Sequence, residues 1–255
     1  MSSLVVGNSY SQLYLEQYWP EDPKGAVGWA DNAVLMLAYQ EAALAILKQR
    51  NSRPGKMLDI STGPALTPLL AMLPAISEVQ LSDFEKSNRE FLKAGRIEYW
   101  RNYVPMLTKL FPHPERMVKD ILSRLDLLRS QHDPVFVDLF LDDPFSGELS
   151  LGGFDIVSMQ FVADGITKDI GDYGACLTKV CNMVNGGGML VMSAVVDSCD
   201  WELGGVLKPS PNVSEEQILA LLSKNGLKTI NLSRSMRFPG LSYSGGWIVL
   251  AAVRE

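Results

Sequence analysis

The stretch Lys56-Met-Leu-Asp-Ile-Ser-Thr-Gly-Pro64 runs a short apolar segment into a glycine turn, and Asp83 follows Gly63 by twenty residues, at the end of Glu78-Val-Gln-Leu-Ser-Asp83. A strand, a tight turn, a helix and a second strand ending in an acid is the layout of a nucleoside-binding βαβ unit. A full G-x-G-x-x-G fingerprint would place glycine at positions 61, 63 and 66, which hold Ser61, Gly63 and Leu66. Those glycines let backbone and helix N-terminus approach a pyrophosphate. A cofactor without phosphate relaxes that demand, and S-adenosylmethionine is the leading candidate. Gly63 permits close backbone approach, Asp59 can orient the loop or bind a ligand ammonium, and Asp83 can accept two ribose hydroxyls. Each also has a purely structural alternative: Gly63 as a turn residue with φ > 0, and Asp83 as the N-cap of the next helix.

The rest of the chain repeats the alternation. Strands are expected over 56–60, 78–82, 134–139, 154–160, 188–195, 227–233 and 246–253, and helices near 65–73, 85–95, 169–184 and 214–225. Seven strands suit a single α/β domain with a Rossmann-like, doubly wound sheet over residues 1–255. No helical pattern separates the last two strands at 235–244, so they read as an antiparallel pair, with one reversed strand in a mostly parallel sheet. Ahead of the sheet, Tyr10–Tyr18 and residues 30–50 read as helices of an N-terminal lid over 1–50, the second with Ala33, Leu37, Leu44 and Leu47 facing the core. The interval 95–133 holds two segments of helical apolar spacing, 96–110 and 115–129, broken at Phe111-Pro-His-Pro114, and reads as a helical cap insertion.

A net charge of −6 disfavours a nucleic-acid partner, which needs clustered Lys and Arg. No apolar run reaches membrane-spanning length, and Met-Ser-Ser-Leu-Val-Val-Gly lacks a basic leader, so a cytoplasmic protein without membrane contact is expected. Cys176, Cys181 and Cys199 lack metal spacing and read as reduced thiols. Asp142-Asp143 before Pro144 has no third ligand beside it, and His113 and His132 neighbour proline turns; no metal is expected. No Walker loop, nucleophile elbow or Ser-His-Asp set is present.

Tyr14-Leu-Glu-Gln-Tyr-Trp19, Asp59-Ile-Ser-Thr-Gly-Pro64, Ser82-Asp83-Phe84, Ser87-Asn88, Asp138-Leu139 and Gly186-Gly-Gly-Met-Leu-Val-Met192, together with the long insertion after the second strand, resemble the class I S-adenosylmethionine-dependent methyltransferases. Within them the chain is similar to the branch of nicotinamide, phenylethanolamine and indolethylamine N-methyltransferases. The resemblance implies that Tyr14 and Tyr18, with Trp19, close over the cofactor, with Gly63 at its methionine moiety, Asp83 and Asn88 at the ribose and neighbouring adenosine, and Asp138 and Leu139 at the adenine; Ser61, Thr62 and Phe84 are further expected cofactor contacts. Aromatic faces favour a sulfonium. In that branch an acid after the fifth strand meets the acceptor; here Ser193 stands in its place, with Asp197 and Asp200 later.

Asp164, after Ser158-Met-Gln-Phe-Val-Ala163, lies where acceptor-side residues of open α/β sheets belong. Asp164, Asp197 and Asp200 are therefore the expected catalytic carboxylates, and Tyr14, Ser193 and Trp201 the expected acceptor contacts. A solvated loop position is the alternative for each acid. The implied reaction is methyl transfer to a nitrogen of a small amine or N-heterocycle, with S-adenosylhomocysteine as product, by a monomer or weak homodimer. An O-methyltransferase, a non-catalytic S-adenosylmethionine-binding protein and an NAD-dependent reductase are the competing expectations.

Overall fold

The computed structural model describes residues 10–23, 29–149, 153–235 and 246–255, with the side chains of all but residues 29–31. The sheet is built from β1 (Gly55–Ile60), β2 (Ile76–Asp83), β3 (Val135–Phe136), β4 (Ile156–Gln160), β5 (Met189–Val195), β8 (Leu227–Arg234) and β9 (Trp247–Arg254). Their order is β3-β2-β1-β4-β5-β9-β8. The pairs from β3 through β5 are parallel. Among the described strands, β9 is the reversed one, antiparallel to β5 on one side and to β8 on the other. The expected seven-stranded, mostly parallel sheet with one reversed strand is thus the fold observed.

These strands are apolar in consecutive positions because both faces of the sheet are covered. Met57, Ile156, Val191 and Val249 face one core, while their neighbours Leu58, Val157, Leu190 and Leu250 face the other. The first core is closed by α2 (Trp29–Gln49), α3 (Thr67–Met72) and α5 (Val118–Arg129), the second by α7 (Ile170–Met183) and α8 (Glu215–Lys224). Start signals are explicit: Asp169 accepts from the backbone N–H of Gly171 and Asp172 at 2.8 and 3.0 Å, and Ser214 with Gln217 forms a capping box on α8. The remaining helices are α1 (Tyr10–Tyr18), α4 (Lys86–Ala94) and the single turn α6 (Ala163–Ile166). No helix among the described residues is long and apolar enough to cross a membrane.

Four local expectations are corrected. The buried stripe of α2 is Leu35, Met36, Tyr39, Ala42, Ala43 and Ile46, whereas Leu44 is 42% exposed; the helix is apolar on most sides, so two stripes satisfied the same spacing. Residues 97–106 form 3-10 turns containing Pro105 rather than an α-helix, and α5 starts at Val118 after a separate turn at Pro114–Arg116. The third strand is two residues long, because it pairs only with Ser82 and Asp83 at the sheet edge before the chain leaves the ladder. A second, two-stranded sheet, β6 (Asp200–Leu203) with β7 (Val206–Pro209), stands where no strand was expected. The expected loop 235–244 falls outside the described residues except at Ser235.

The insertion 95–133 carries Trp100, Tyr103, Val104, Leu107, Ile121, Leu122 and Leu125 into the first core. Tyr99 and Tyr103 donate to the carbonyls of Trp19 and Pro20, both at 2.7 Å, anchoring the end of α1. The insertion supports the N-terminal segment from behind, and the described residues lining the cavity described next include none of its own.

Candidate functional site

At the carboxyl ends of the strands, where the order reverses between β1 and β4, lies a cavity of about 470 Å³, the crevice in which open α/β sheets hold ligands. Three strand ends leave their ladders through left-handed non-glycine residues, Ser61 (φ 52°), Phe161 (φ 54°) and Asp197 (φ 51°). Gly63 adopts φ 64°, and a Cβ there would meet nothing within 4 Å, so its backbone is open to a ligand.

One end of the cavity is a closed hydrogen-bond network. Asp83 Oδ2 accepts from Gly63 N–H at 2.6 Å, and Oδ1 accepts from Glu85 N–H at 2.8 Å and from the Asn88 amide at 3.0 Å. Asn88 in turn accepts from the Ser11 hydroxyl at 2.7 Å, which ties α1 to α4. A carboxylate has about four acceptor positions, so Asp83 keeps one for a ligand hydroxyl. Burial raises its pKa above the ordinary carboxylate range, and these donors oppose the rise. Beside it, Val137, Asp138 and Leu139 with exposed Phe84 and Phe140 wall an apolar slot, and the Asp138 carboxylate caps the turn by accepting from Phe140 N–H at 2.9 Å. Tyr14 and Tyr18, with ring centroids 5.1 Å apart, close the side toward α1. A flat base, a diol and a cationic centre match this set of surfaces. Asp59 lies behind the loop, 4% exposed, and burial pushes its pKa to about 6 although the neighbouring Ser158 and Thr62 hydroxyls oppose the rise; its Oδ1 has no partner.

The other end is less satisfied. Asp164, in α6, is 4% exposed; Oδ2 accepts from Val195 N–H at 3.0 Å, while Oδ1 has no hydrogen-bond partner. Burial raises its pKa to about 7. Trp201 donates its indole N–H to the carbonyl of Gly165 at 3.2 Å, seating the β6–β7 hairpin against α6. The hairpin is also held by α1: Tyr18 and Gln17 both donate to the Glu202 carbonyl, and Gln17 accepts from Gly204 N–H at 2.9 Å.

The sequence model of the NNMT/PNMT/TEMT family matches residues 9–248. The chain belongs to that family. It is therefore an S-adenosylmethionine-dependent methyltransferase. Solved structures of low identity share the architecture. Magnesium protoporphyrin IX methyltransferase from Synechocystis PCC 6803, with bound S-adenosylhomocysteine, matches at TM-score 0.55 and 13% identity over 95% of this chain and 93% of that one. The CurJ carbon methyltransferase matches at TM-score 0.56 and 15% identity over 95% of this chain, which spans 61% of the CurJ chain. The 1,6-didemethyltoxoflavin-N1-methyltransferase of Burkholderia thailandensis matches at TM-score 0.50 and 15% identity over 100% of this chain and 92% of that one. No curated protein sequence matches the chain.

In this methyltransferase the cavity brings together Tyr14, Tyr18, Ser61, Thr62, Gly63, Asp83, Phe84, Asn88, Asp138, Leu139, Asp164 and Trp201. Ser193 stays below it, fully buried, donating to Gln160 at 2.9 Å and bonded to the Tyr39 hydroxyl at 3.1 Å. Asp197 and Asp200 lie outside the lining. Strand alternation explains Asp200: Trp201 pairs with Lys208 and both reach the cavity, so the preceding side chain points to the opposite face of the ribbon. Sequence reasoning missed Tyr10, Asn32, Gln160, Phe161, Lys208, Ser210 and Trp247. Lys208 and Trp201 had a readable signal, the Gly204-Gly205 pair between two strand-like tetrapeptides; both glycines have positive φ, 59° and 78°, as a tight hairpin turn requires. The others come from separate elements and are assembled only by the tertiary fold.

Proposed function

We propose that the chain transfers a methyl group to a nitrogen of a small-molecule acceptor held between α6 and the β6–β7 hairpin. The observation that carries this reading is Asp164, a buried carboxylate in the cavity wall with one oxygen that has no hydrogen-bond partner. Such an oxygen calls for a donor, and an amine or ammonium supplies one. S-Adenosylmethionine, when bound, brings a methyl group already activated by the sulfonium and departs as S-adenosylhomocysteine.

The protein's own work is then alignment and proton handling. Asp83, Asn88 and Gly63 orient the ribose end, Asp138 and Leu139 wall the base, and Tyr14 and Tyr18 present ring faces to positive charge. Ser61, Thr62 and Asp59 set the loop that carries Gly63, and Phe84 covers the adenosine edge. Asp164 holds the acceptor nitrogen and, with a pKa near neutrality, takes the proton that the nitrogen must shed. Trp201 forms a side of the acceptor space, while Ser193, through Gln160, positions the strand ends from beneath. Asp197 and Asp200 receive no acceptor role in this reading because neither faces the cavity.

Turnover of a panel of primary amines and N-heterocycles, with matched alcohols and phenols as comparators, tests the proposal in wild type and Asp164→Asn. Methylated amine from wild type, reduced at least about tenfold in the variant, supports it; turnover confined to the oxygen acceptors contradicts it.

A further inference from the structure

Lys208 is a partly buried cation in the cavity wall, and the reading above gives it no task. Its ammonium lies 5.5 Å from the Trp201 ring centroid and 5.7 Å from that of Tyr10. Among the described residues no carboxylate lies within ion-pair distance of it. Two aromatic faces fix an ammonium without neutralising it, and a partly desolvated, unpaired charge is unfavourable until an anion arrives.

Trp201 links this cation to Asp164. Its indole N–H bonds the carbonyl of Gly165, the residue next to Asp164, and its ring carries Lys208 across the ribbon. The same stretch of wall therefore holds one carboxylate oxygen without a partner and one ammonium without an ion pair, on residues linked through a single indole.

We propose that Lys208 binds a carboxylate on the acceptor, so that the substrate class is an amino acid or N-heterocyclic acid rather than a simple amine. Asp164 takes the nitrogen and Lys208 the carboxylate, so each buried or half-buried charge meets its opposite on one molecule. Recognition of a zwitterion also gives discrimination: an amine lacking the carboxylate leaves Lys208 unpaired, and an acid lacking the amine leaves Asp164 unpaired. The inference rests on the cavity being the methyl-acceptor site.

The test is calorimetric binding to the complex with S-adenosylhomocysteine, using matched probes: phenylalanine and phenethylamine, tryptophan and tryptamine, nicotinate and nicotinamide. In wild type the acidic member of at least one pair binds about tenfold or more tighter, the scale of one charge-assisted hydrogen bond. Lys208→Met removes that preference and Lys208→Arg retains it, with thermal unfolding confirming that both variants fold. No binding by any acidic member, or a preference unchanged in Lys208→Met, overturns the proposal. So does a tenfold loss of S-adenosylhomocysteine affinity in Lys208→Met with the pair preference intact, which would assign the lysine to the cofactor. Carboxylate-independent binding of amines that are methylated would sink the inference alone; acceptors that are all alcohols or phenols would sink the nitrogen reading beneath it.

Discussion

The two ends of the cavity are built on opposite principles. At the end proposed for the cofactor, the polar groups around Gly63 are linked in one chain of hydrogen bonds: Gly63 to Asp83, Asp83 to Asn88, Asn88 to Ser11. At the end proposed for the acceptor, the Asp164 carboxylate keeps one buried oxygen without a hydrogen-bond partner, and Lys208 has no ion pair among the described residues. The first arrangement is preorganised and suits a ligand common to every turnover, since no ordering remains to be done on binding. The second leaves charges for the acceptor to satisfy, which makes affinity depend on what the acceptor carries. Fixed strand ends hold the first, whereas a single-turn helix and a two-stranded ribbon hold the second, elements that can be altered without disturbing the sheet.

The sharpest way to break this contrast is Asp83→Ala. It removes one carboxylate that binds three protein donors, so the β1 loop loses its anchor together with the ligand contact. Cofactor affinity should fall roughly 100-fold by calorimetry, the scale of losing a charged hydrogen-bond hub; a loss below about threefold would mean the network does not organise the site.

Next in size is the pH response of Asp164. Its folded pKa is raised from 3.8 to about 7, so the folded protein binds this proton more tightly than the unfolded chain. The stability contribution is most favourable below about pH 4, declines as pH rises, and is fully lost above about pH 7, up to roughly 4 kcal/mol on the linkage scale. Asp164→Asn should therefore be more stable than wild type at pH 8 without ligand, with the difference in Tm shrinking toward pH 4. Asp59, raised to about 6, adds a slope of the same sign that this variant leaves in place. A difference that is constant with pH would mean that Asp164 is solvated.

A smaller effect is expected from Tyr18→Phe. The variant keeps the ring beside Tyr14 but loses the donor to the Glu202 carbonyl, loosening α1 from the hairpin by about 1 kcal/mol. Amide hydrogen exchange in 200–209 should quicken while exchange in β1 and β2 does not. Smallest of all, Ser61→Gly relieves a left-handed serine at φ 52°. The relief offsets the entropy cost of glycine, so the change in Tm should correspond to less than about 1 kcal/mol.

The same division explains what the sequence made visible. Gly63 and Asp83 stand at the two ends of one βαβ unit, so their spacing is local and survives as a pattern. The sheet was equally readable, because consecutive apolar residues such as Leu190 and Val191 must cover both faces. The acceptor end depends on contacts between distant segments: Trp201 with Gly165, Lys208 with Tyr10, Ser193 with Tyr39. Asp164, adjacent to a strand end, and Trp201, shortly after β5, could be nominated from position. Asp197 and Asp200 were drawn in by proximity to β5, and the left-handed turn at Asp197 with the alternation of the ribbon carries them away from the cavity. The stripe of α2 failed differently, since a helix apolar on most sides does not declare which side is buried.

The central claim is that cofactor and acceptor are held by separable machinery. Titration of S-adenosylhomocysteine into wild type, Asp83→Ala and Asp164→Asn, each followed by titration of a methylated amine's parent acceptor, measures both ends in one experiment. The account predicts that Asp83→Ala loses the cofactor, whereas Asp164→Asn binds it within about twofold of wild type and binds the acceptor at least about tenfold more weakly. Equal loss of cofactor in the two variants, or acceptor binding indifferent to Asp164, would contradict it.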